Sequence, residues 1–233
     1  MSNSTRAIEL NKSCDNQVVE LNKIHNMDCL EFMRTIPDKY FDLVLTDPPY
    51  GIGMDGGNIG GNNLGKAKDY QKKSWDKFTP TQEIFNEIIR VSKNQIIFGA
   101  NHFIDKIPYP SSCWLVWDKD NTGNFADSEL AWTNFKTAVR NYKFRWNGML
   151  QQDMANKEER HHPTQKPVEL FKYILRDYAI KNQYTKIFDP FMGSGTTAIA
   201  CKSLGLDFIG CELDKDYYEI INKRLNQVQG SLF

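Results

Sequence analysis

The sequence predicts an α/β fold, a mostly parallel sheet with helices on both faces, on three observations. Short apolar runs alternate along the chain with amphipathic stretches of helical period. The run Phe41–Thr46 is apolar and bounded by turn residues, as a strand buried on both faces is. Acids and glycine turns stand directly after several runs, where open α/β sheets carry their ligands.

Taken in order, Val18–Leu21 leads into Ile24 as a first strand, and a short helix follows over Asp28–Ile36. Pro37-Asp38 turns the chain into the strand Phe41–Thr46. Residues 51–78 hold glycines at 51, 53, 56, 57, 60, 61 and 65, too glycine-rich and polar to pack, so a mobile loop is expected there. Thr79-Pro80-Thr81-Gln82 reads as a capping box, with Thr79 at the cap. The helix behind it carries Ile84, Phe85, Ile88, Ile89 and Val91 on one face. Gln95–Phe98, Cys113–Trp117 and Glu129–Trp132 read as further strands. From 136 to 166 periodicity fades, and seven bases (Lys136, Arg140, Lys143, Arg145, Lys157, Arg160, Lys166) face three acids (Asp153, Glu158, Glu159). This reads as an irregular insert. Alternation returns with a helix opened by Pro167, a strand Lys186–Phe188, a helix to Leu204, a strand Phe208–Cys211 and a last helix over Lys215–Val228.

At 233 residues, one domain with an insert is favoured over two. Hydrophobic residues at 40% and charged residues at 25% exclude a disordered chain. No apolar run approaches the roughly 20 residues that span a bilayer, so no membrane partner is expected. No secretory signal is visible at the start. Five scattered cysteines without a Cys-x-x-Cys pair point to a reducing, cytoplasmic compartment and against zinc. His161-His162 is the one histidine pair, read as a surface loop rather than a ligand set, so no metal is expected. Net charge is zero, which confines any polyanion site to a local patch.

Three constellations carry chemistry. Asp189-Pro190-Phe191-Met192-Gly193-Ser194-Gly195-Thr196-Thr197 lies between a strand and a helix. Its glycines let the backbone approach a ligand, and Asp189 is placed to accept from an ammonium or, through water, a hydroxyl. Without a lysine before Thr196-Thr197 it is no Walker loop, which weakens an NTPase reading. Glu212, 17 residues beyond Gly195 and followed by Leu213, suits ribose hydroxyls. Asp47-Pro48-Pro49-Tyr50 follows the buried strand. Its prolines remove two N–H donors and fix the turn, so it presents an acid, carbonyl oxygens and an aromatic face. That is a receptor for a planar ring bearing an amino group.

Asp47–Tyr50, His162-Pro163-Thr164-Gln165-Lys166-Pro167 and Asp189–Thr197 together closely resemble the S-adenosylmethionine-dependent DNA amino-methyltransferases. The catalytic tetrapeptide precedes the glycine loop, the order of the permuted β group. The resemblance spans roughly Val18 to Leu225 and implies a circularly permuted Rossmann-like methyltransferase fold with a small target-recognition insert. It implies Asp47, Pro48, Pro49 and Tyr50 as catalytic residues and S-adenosylmethionine as cofactor. Cofactor contacts are implied at Asp28, Cys29, Asp47, Thr164, Gln165, Lys166, Asp189, Pro190, Phe191, Gly193, Ser194, Gly195, Thr196, Glu212 and Leu213. Within these, Asp28 takes the adenine amino group, Glu212 the ribose, and Thr164–Lys166 close over the methionine moiety. An initial Asp is typical of N6-adenine enzymes and Ser of N4-cytosine ones. The implied substrate is double-stranded DNA in a prokaryotic or phage-like setting. A homodimer and a restriction-enzyme partner are compatible with the group, and no motif here selects either.

An exocyclic amino nitrogen is a poor nucleophile because its lone pair is delocalised into the ring. Accepting its N–H bonds at Asp47 and the Pro48 carbonyl favours a pyramidal nitrogen, and alignment with a sulfonium methyl supplies much of the rate. The base must leave the duplex, with Tyr50 expected to stack on it. Phosphate and base contacts are expected from Lys72 and Lys73, with Lys66, Lys68 and Lys77 nearby, and from Arg140, Arg145 and Asn147 of the insert. Trp75 and Trp146 are better read as packing residues than as intercalators. The competing readings are N4-cytosine methylation and a catalytically idle DNA-binding subunit.

Overall fold

Residues 7–8, 19–59, 68–70, 72–120, 126–147 and 150–228 are described in a computed structural model. Eight strands make one mixed sheet: β1 (Lys23–His25), β2 (Phe41–Thr46), β3 (Ser92–Phe98), β4 (Trp114–Asp118), β5 (Ser128–Thr133), β6 (Arg140–Lys143), β7 (Lys186–Asp189) and β8 (Asp207–Cys211). Across the sheet the order is β6-β4-β5-β3-β2-β7-β8-β1. Only β5 runs against its neighbours β3 and β4, and the other pairings are parallel. Chain order reverses between β2 and β7, which pair through Leu43–Ile187 and Val44–Phe188. The tips of these strands therefore lie side by side at the crevice where such sheets bind ligands.

Alternation within the strands divides the core between the two faces. Leu43, Leu45, Ile96, Phe98 and Ile187 pack with α3 (Val168–Leu175), α4 (Thr196–Ser203) and α5 (Lys215–Gln227). Phe41, Val44, Ile97, Phe188 and Ile209 pack with α1 (Cys29–Arg34) and α2 (Gln82–Val91). The central strands are thus apolar on both sides, as the unbroken run Phe41–Thr46 requires. Beyond Leu175, α3 continues into a π turn over Arg176–Ile180. Among the described residues no helix is long and apolar enough to cross a membrane. Four cysteines are buried and free, and Cys14 lies outside the described residues.

Three local expectations are corrected. Helix α2 begins at Gln82 with Thr81 at its cap, and no side chain caps it. The Thr79 hydroxyl is taken by Lys106 Nζ, which also donates to the Pro80 carbonyl at 2.9 Å, so the chain turns helical later than the capping box implied. The segment from 136 is not irregular throughout. Arg140–Lys143 forms edge strand β6 beside Leu115–Asp118, and Trp146–Asn147 pairs with Leu150–Gln151 in a small ribbon. Its anchor is Trp146, buried and donating Nε1 to the Gln165 carbonyl at 3.0 Å. The glycine-rich stretch is also more built than composition suggested. Buried Asp76 accepts from the amides of Gly51 (2.8 Å) and Met54 (2.7 Å), and Gly57–Ile59 pairs with Lys68–Tyr70. Residues 60–67, with Lys66 among them, lie outside the described residues.

Gly210 on β8 lets Met192 cross the strand. A Cβ at Gly210 would sit 2.2 Å from Met192 Cε and 3.0 Å from the Asp189 carbonyl oxygen. We expect Gly210→Ala to lower stability by about 1–3 kcal/mol through overpacking. Pairing it with Met192→Ala should recover part of that loss in denaturant melts; no recovery would place the strain elsewhere.

Candidate active site

Thr46 ends β2 and Asp189 ends β7, and the two side chains meet. Thr46 Oγ1 donates to Asp189 Oδ1 at 2.6 Å, Thr197 Oγ1 to Oδ2 at 2.5 Å, and the Phe191 amide to Oδ1 at 2.9 Å. Burial lifts the Asp189 carboxyl to about 6, against the lowering pull of its three donors. Sequence placed Asp189 as an acceptor for a ligand ammonium. Both oxygens accept from the protein, Oδ2 from Thr197 alone, so Asp189 joins the two strand tips and the first turn of α4 and keeps one acceptor position at the cavity wall.

Above this joint lies a cavity of about 270 Å³. Asp47–Tyr50 borders it on one side, and Asp189–Ser194 with Thr196 and Thr197 on another. Asp28, Cys29, Glu212 and Leu213 come from the β1 and β8 edge, and Thr164, Gln165 and Lys166 close it from the segment before α3. The expected cofactor residues therefore converge, with one exception. Gly195 does not line the cavity. Its φ is +87°, and a Cβ there would meet Ile221 Cγ2 at 2.9 Å, so α5 needs this glycine. Gly193 (φ +54°) does line it, with room left toward His162.

Glu212 holds the loop in shape. Its Oε2 accepts from the Gly193 amide at 2.7 Å and its Oε1 from the Asp214 amide at 2.8 Å. Burial raises its carboxyl to about 7. Each oxygen keeps further acceptor capacity toward the cavity. Asp28 caps α1 through Oδ1, which accepts from Leu30 (2.8 Å) and Glu31 (3.2 Å) amides. Gln165 is saturated: Oε1 takes the Ser194 hydroxyl (3.0 Å) and the His161 amide (2.8 Å), while Nε2 donates to Glu158 Oε1 (2.8 Å) and the Glu159 carbonyl (3.0 Å). It shapes the wall rather than offering a free amide. His162 packs between Trp75 (4.6 Å) and Tyr217 (4.5 Å) with its ring tilted to both, and burial depresses its imidazole to about 3, so it stays neutral.

Five acids at the cavity wall, Asp28, Asp47, Asp76, Asp189 and Glu212, face one ammonium, Lys166. Such a wall suits a cation bearing hydroxyls and repels a polyphosphate. This weakens the NTPase reading on electrostatic grounds as well as on motif. Among the described residues no cluster of His, Cys, Asp and Glu could hold a metal.

The Asp47–Tyr50 tetrapeptide carries a network that sequence did not foresee. Tyr50 Oη donates to Asp47 Oδ1 at 2.6 Å and lies 3.3 Å from Glu129 Oε2. Lys166, 5% exposed, places Nζ 2.6 Å from Asp47 Oδ2, 2.9 Å from Glu129 Oε2 and 3.2 Å from Tyr50 Oη. Glu129 Oε1 is paired in turn with Lys119. Burial would raise the Glu129 carboxyl, but Lys166 and Lys119 outweigh it and bring it to about 2. Burial raises Asp47, with Lys166 opposing. The Lys166 ammonium is held charged by Asp47 and Glu129 against the cost of burial. Tyr50 stacks on His102, centroids 4.7 Å apart and planes 15° off parallel. Gly99 allows that pose, since a Cβ there would lie 1.9 Å from Tyr50 Cε1. One face of the ring expected to meet a base is therefore already covered by His102. Glu129 stood in the sequence as an acid inside an apolar strand, the one signal that could have marked it.

The expected DNA contacts separate. Lys73 is not free: its ammonium pairs with Asp214 (2.9 Å) and Asp216 (2.5 Å), which tie residues 72–78 to the start of α5 beside the cavity. Arg145 pairs with Asp120, which Lys143 also contacts at 2.8 Å. Lys72 and Arg140 are exposed, and the side chain of Asn147 lies outside the described residues.

The raised carboxyl of Glu212 sets a pH test. Its folded value of about 7 exceeds an ordinary 4.5, so its protonation favours the ligand-free fold at low pH, and that contribution is lost as pH rises toward 7. Glu212→Gln should therefore gain stability relative to the parent between pH 4.5 and 7.5, by at most about 3 kcal/mol. A pH-independent difference in Tm would contradict the assignment.

Comparison with known proteins follows the same lines. The chain is 28% identical to the type II methyltransferase M1.MboII of Moraxella bovis, over 91% of this chain and 99% of that one. It is 25% identical to the type II methyltransferase M.HinfI of Haemophilus influenzae, over 90% and 69% of the two chains. The solved M1.HpyAVI–SAM complex shares the fold at 24% identity and a TM-score of 0.50, covering 88% of this chain and 99% of that one. The family model described as DNA methylase, of N6 and N4 type, matches residues 106–223, half of the chain. The chain belongs to the DNA methylase family.

Proposed function

We propose that this protein transfers the methyl group of S-adenosylmethionine to the N6 amino group of adenine in double-stranded DNA. The observation that carries the reading is the meeting of Asp47–Tyr50 and Asp189–Thr197 at one cavity, joined by the Thr46–Asp189 hydrogen bond. When bound, S-adenosylmethionine supplies an electrophilic methyl on a sulfonium. Under this reading Glu212 receives the ribose hydroxyls and Asp28 the adenine amino group. Cys29, Pro190, Phe191 and Leu213 flank the adenosine, while Thr164, Gln165, Lys166, Ser194 and Thr196 enclose the methionine end.

Asp47 and the Pro48 carbonyl accept the N–H bonds of the flipped target, and Pro49 keeps that turn rigid. The nitrogen lone pair then faces the methyl, and the N–H proton surplus after transfer leaves through Asp47, whose burial favours taking it. Water exclusion and alignment supply the acceleration. Lys72, Arg140, Arg145 and Asn147 are placed on the DNA side of the reading, with Arg145 leaving Asp120 to do so. Lys73 is withdrawn from that set, because its two carboxylates hold it at the cavity rim.

Labelled methyl transfer to unmethylated genomic DNA tests the proposal, followed by nucleoside analysis. The expected product is N6-methyladenine, and Asp47→Ala should lower the rate by about a hundredfold or more. N4-methylcytosine would move the target to the other base that the family serves. No transfer at all would leave the catalytically idle reading.

A further inference from the structure

The catalytic carboxylate is engaged on both oxygens before any base arrives. Tyr50 holds Oδ1 and Lys166 holds Oδ2. A target amino group must donate to Asp47, and its nitrogen becomes positively charged as the methyl transfers. An ammonium 2.6 Å from that carboxylate competes for the acceptor and opposes the developing charge. Lys166 cannot retreat into water, since it is 5% exposed and lies between the Tyr50 and Phe98 rings, 5.2 and 5.7 Å from their centroids. It has one other anion within reach. Glu129 Oε2 stands 2.9 Å away on antiparallel strand β5. Lys119, 5.0 Å from the Trp117 ring centroid, fixes the opposite oxygen of Glu129 and holds that carboxylate in place.

We propose that Glu129 is a positioning residue that takes the Lys166 ammonium from Asp47 when the target amino group enters. The inference rests on the methyltransferase reading above. In the free protein Lys166 is shared between two carboxylates and keeps the buried pair electrically balanced. On entry of the base, the amino group replaces Lys166 at Asp47 Oδ2, and Lys166 is retained by Glu129 alone. No bond to carbon changes in this exchange; one hydrogen bond is given up at Asp47 and one is gained there. Without Glu129, moving Lys166 off Asp47 would strand a charge in a buried site, a strongly unfavourable state. Glu129 and Lys119 are thus separated from the reacting atoms yet govern the availability of Asp47.

Single-turnover methyl transfer to unmethylated genomic DNA, together with calorimetric binding of S-adenosylhomocysteine, tests this in the full chain. Glu129→Gln should slow transfer by about ten- to hundredfold, the worth of one charge-assisted hydrogen bond, while cofactor-product affinity stays near the parent value. At S-adenosylmethionine concentrations shown by titration to saturate each variant, adding Lys166→Met to Glu129→Gln should make the enzyme faster than Glu129→Gln alone, because the stranded cation is gone. Glu129→Asp, which keeps the charge, should fall between parent and Glu129→Gln, and it reads the same effect should Glu129→Gln fail to fold. A double variant no faster than Glu129→Gln, or Glu129→Asp as slow as Glu129→Gln, overturns the proposal. An inactive parent chain would overturn the enzymatic reading itself, and the parent control distinguishes the two failures.

Discussion

A single buried carboxylate sets the arrangement on which the rest depends. Asp189 accepts from Thr46 on β2, Thr197 on α4 and the backbone of its own loop. These three donors belong to β2, the helix beneath the glycine turn and the turn itself. Parallel pairing brings β2 and β7 together, but register alone does not fix how two tips face each other. The Asp189 hydrogen bonds do. A buried acid held by three donors is specific in geometry, because removing any of them leaves an unmet group in a dry place.

Charge then determines what the cavity can hold. Acids crowd its wall, and its one ammonium is neutralised by Asp47 and Glu129. The carboxyls of Asp189 and Glu212 are raised chiefly by burial, with the neighbouring acids adding to it, so holding them ionised without a ligand is costly. A cation with hydroxyls relieves that cost, so the site is stored in a state that favours its ligand. The ordered part of the glycine-rich segment serves the same edge: Asp76 shapes it, and Lys73 fastens it to Asp214 and Asp216.

What sequence could reveal follows from what is local. Asp47–Tyr50, Asp189–Thr197 and Glu212 each sit directly after a strand, so hydropathy and spacing located them and the parallel topology brought them together. The short apolar strands were legible for the same reason, and Phe41–Thr46 was placed to the residue. Glu129, Lys119, His102 and Gly99 were not legible. Glu129, with its partner Lys119, reaches the tetrapeptide through the antiparallel crossing of β5 between β3 and β4, while Gly99 and His102 follow β3, the parallel neighbour of β2, and no period in the chain encodes either meeting. Composition misled at two places. Glycine content hid the anchoring role of Asp76, and a local excess of bases hid edge strand β6. The motif placed Asp189 but gave no sign that Thr46, Thr197 and the Phe191 amide would take up three of its acceptor positions.

The most direct measurement concerns the bond that couples the two loops. Thr46→Val removes one donor to Asp189 without changing the size of the strand-end side chain or touching any residue of the tetrapeptide. Stopped-flow methyl transfer and equilibrium cofactor binding on the same preparation separate alignment from affinity. The account predicts a slower transfer step with cofactor affinity largely retained, because the turn bearing Asp47 would no longer be held in register with the loop bearing Gly193. An unchanged transfer rate in a folded Thr46→Val protein would contradict it, since the strand tips would then be aligned by something other than Asp189.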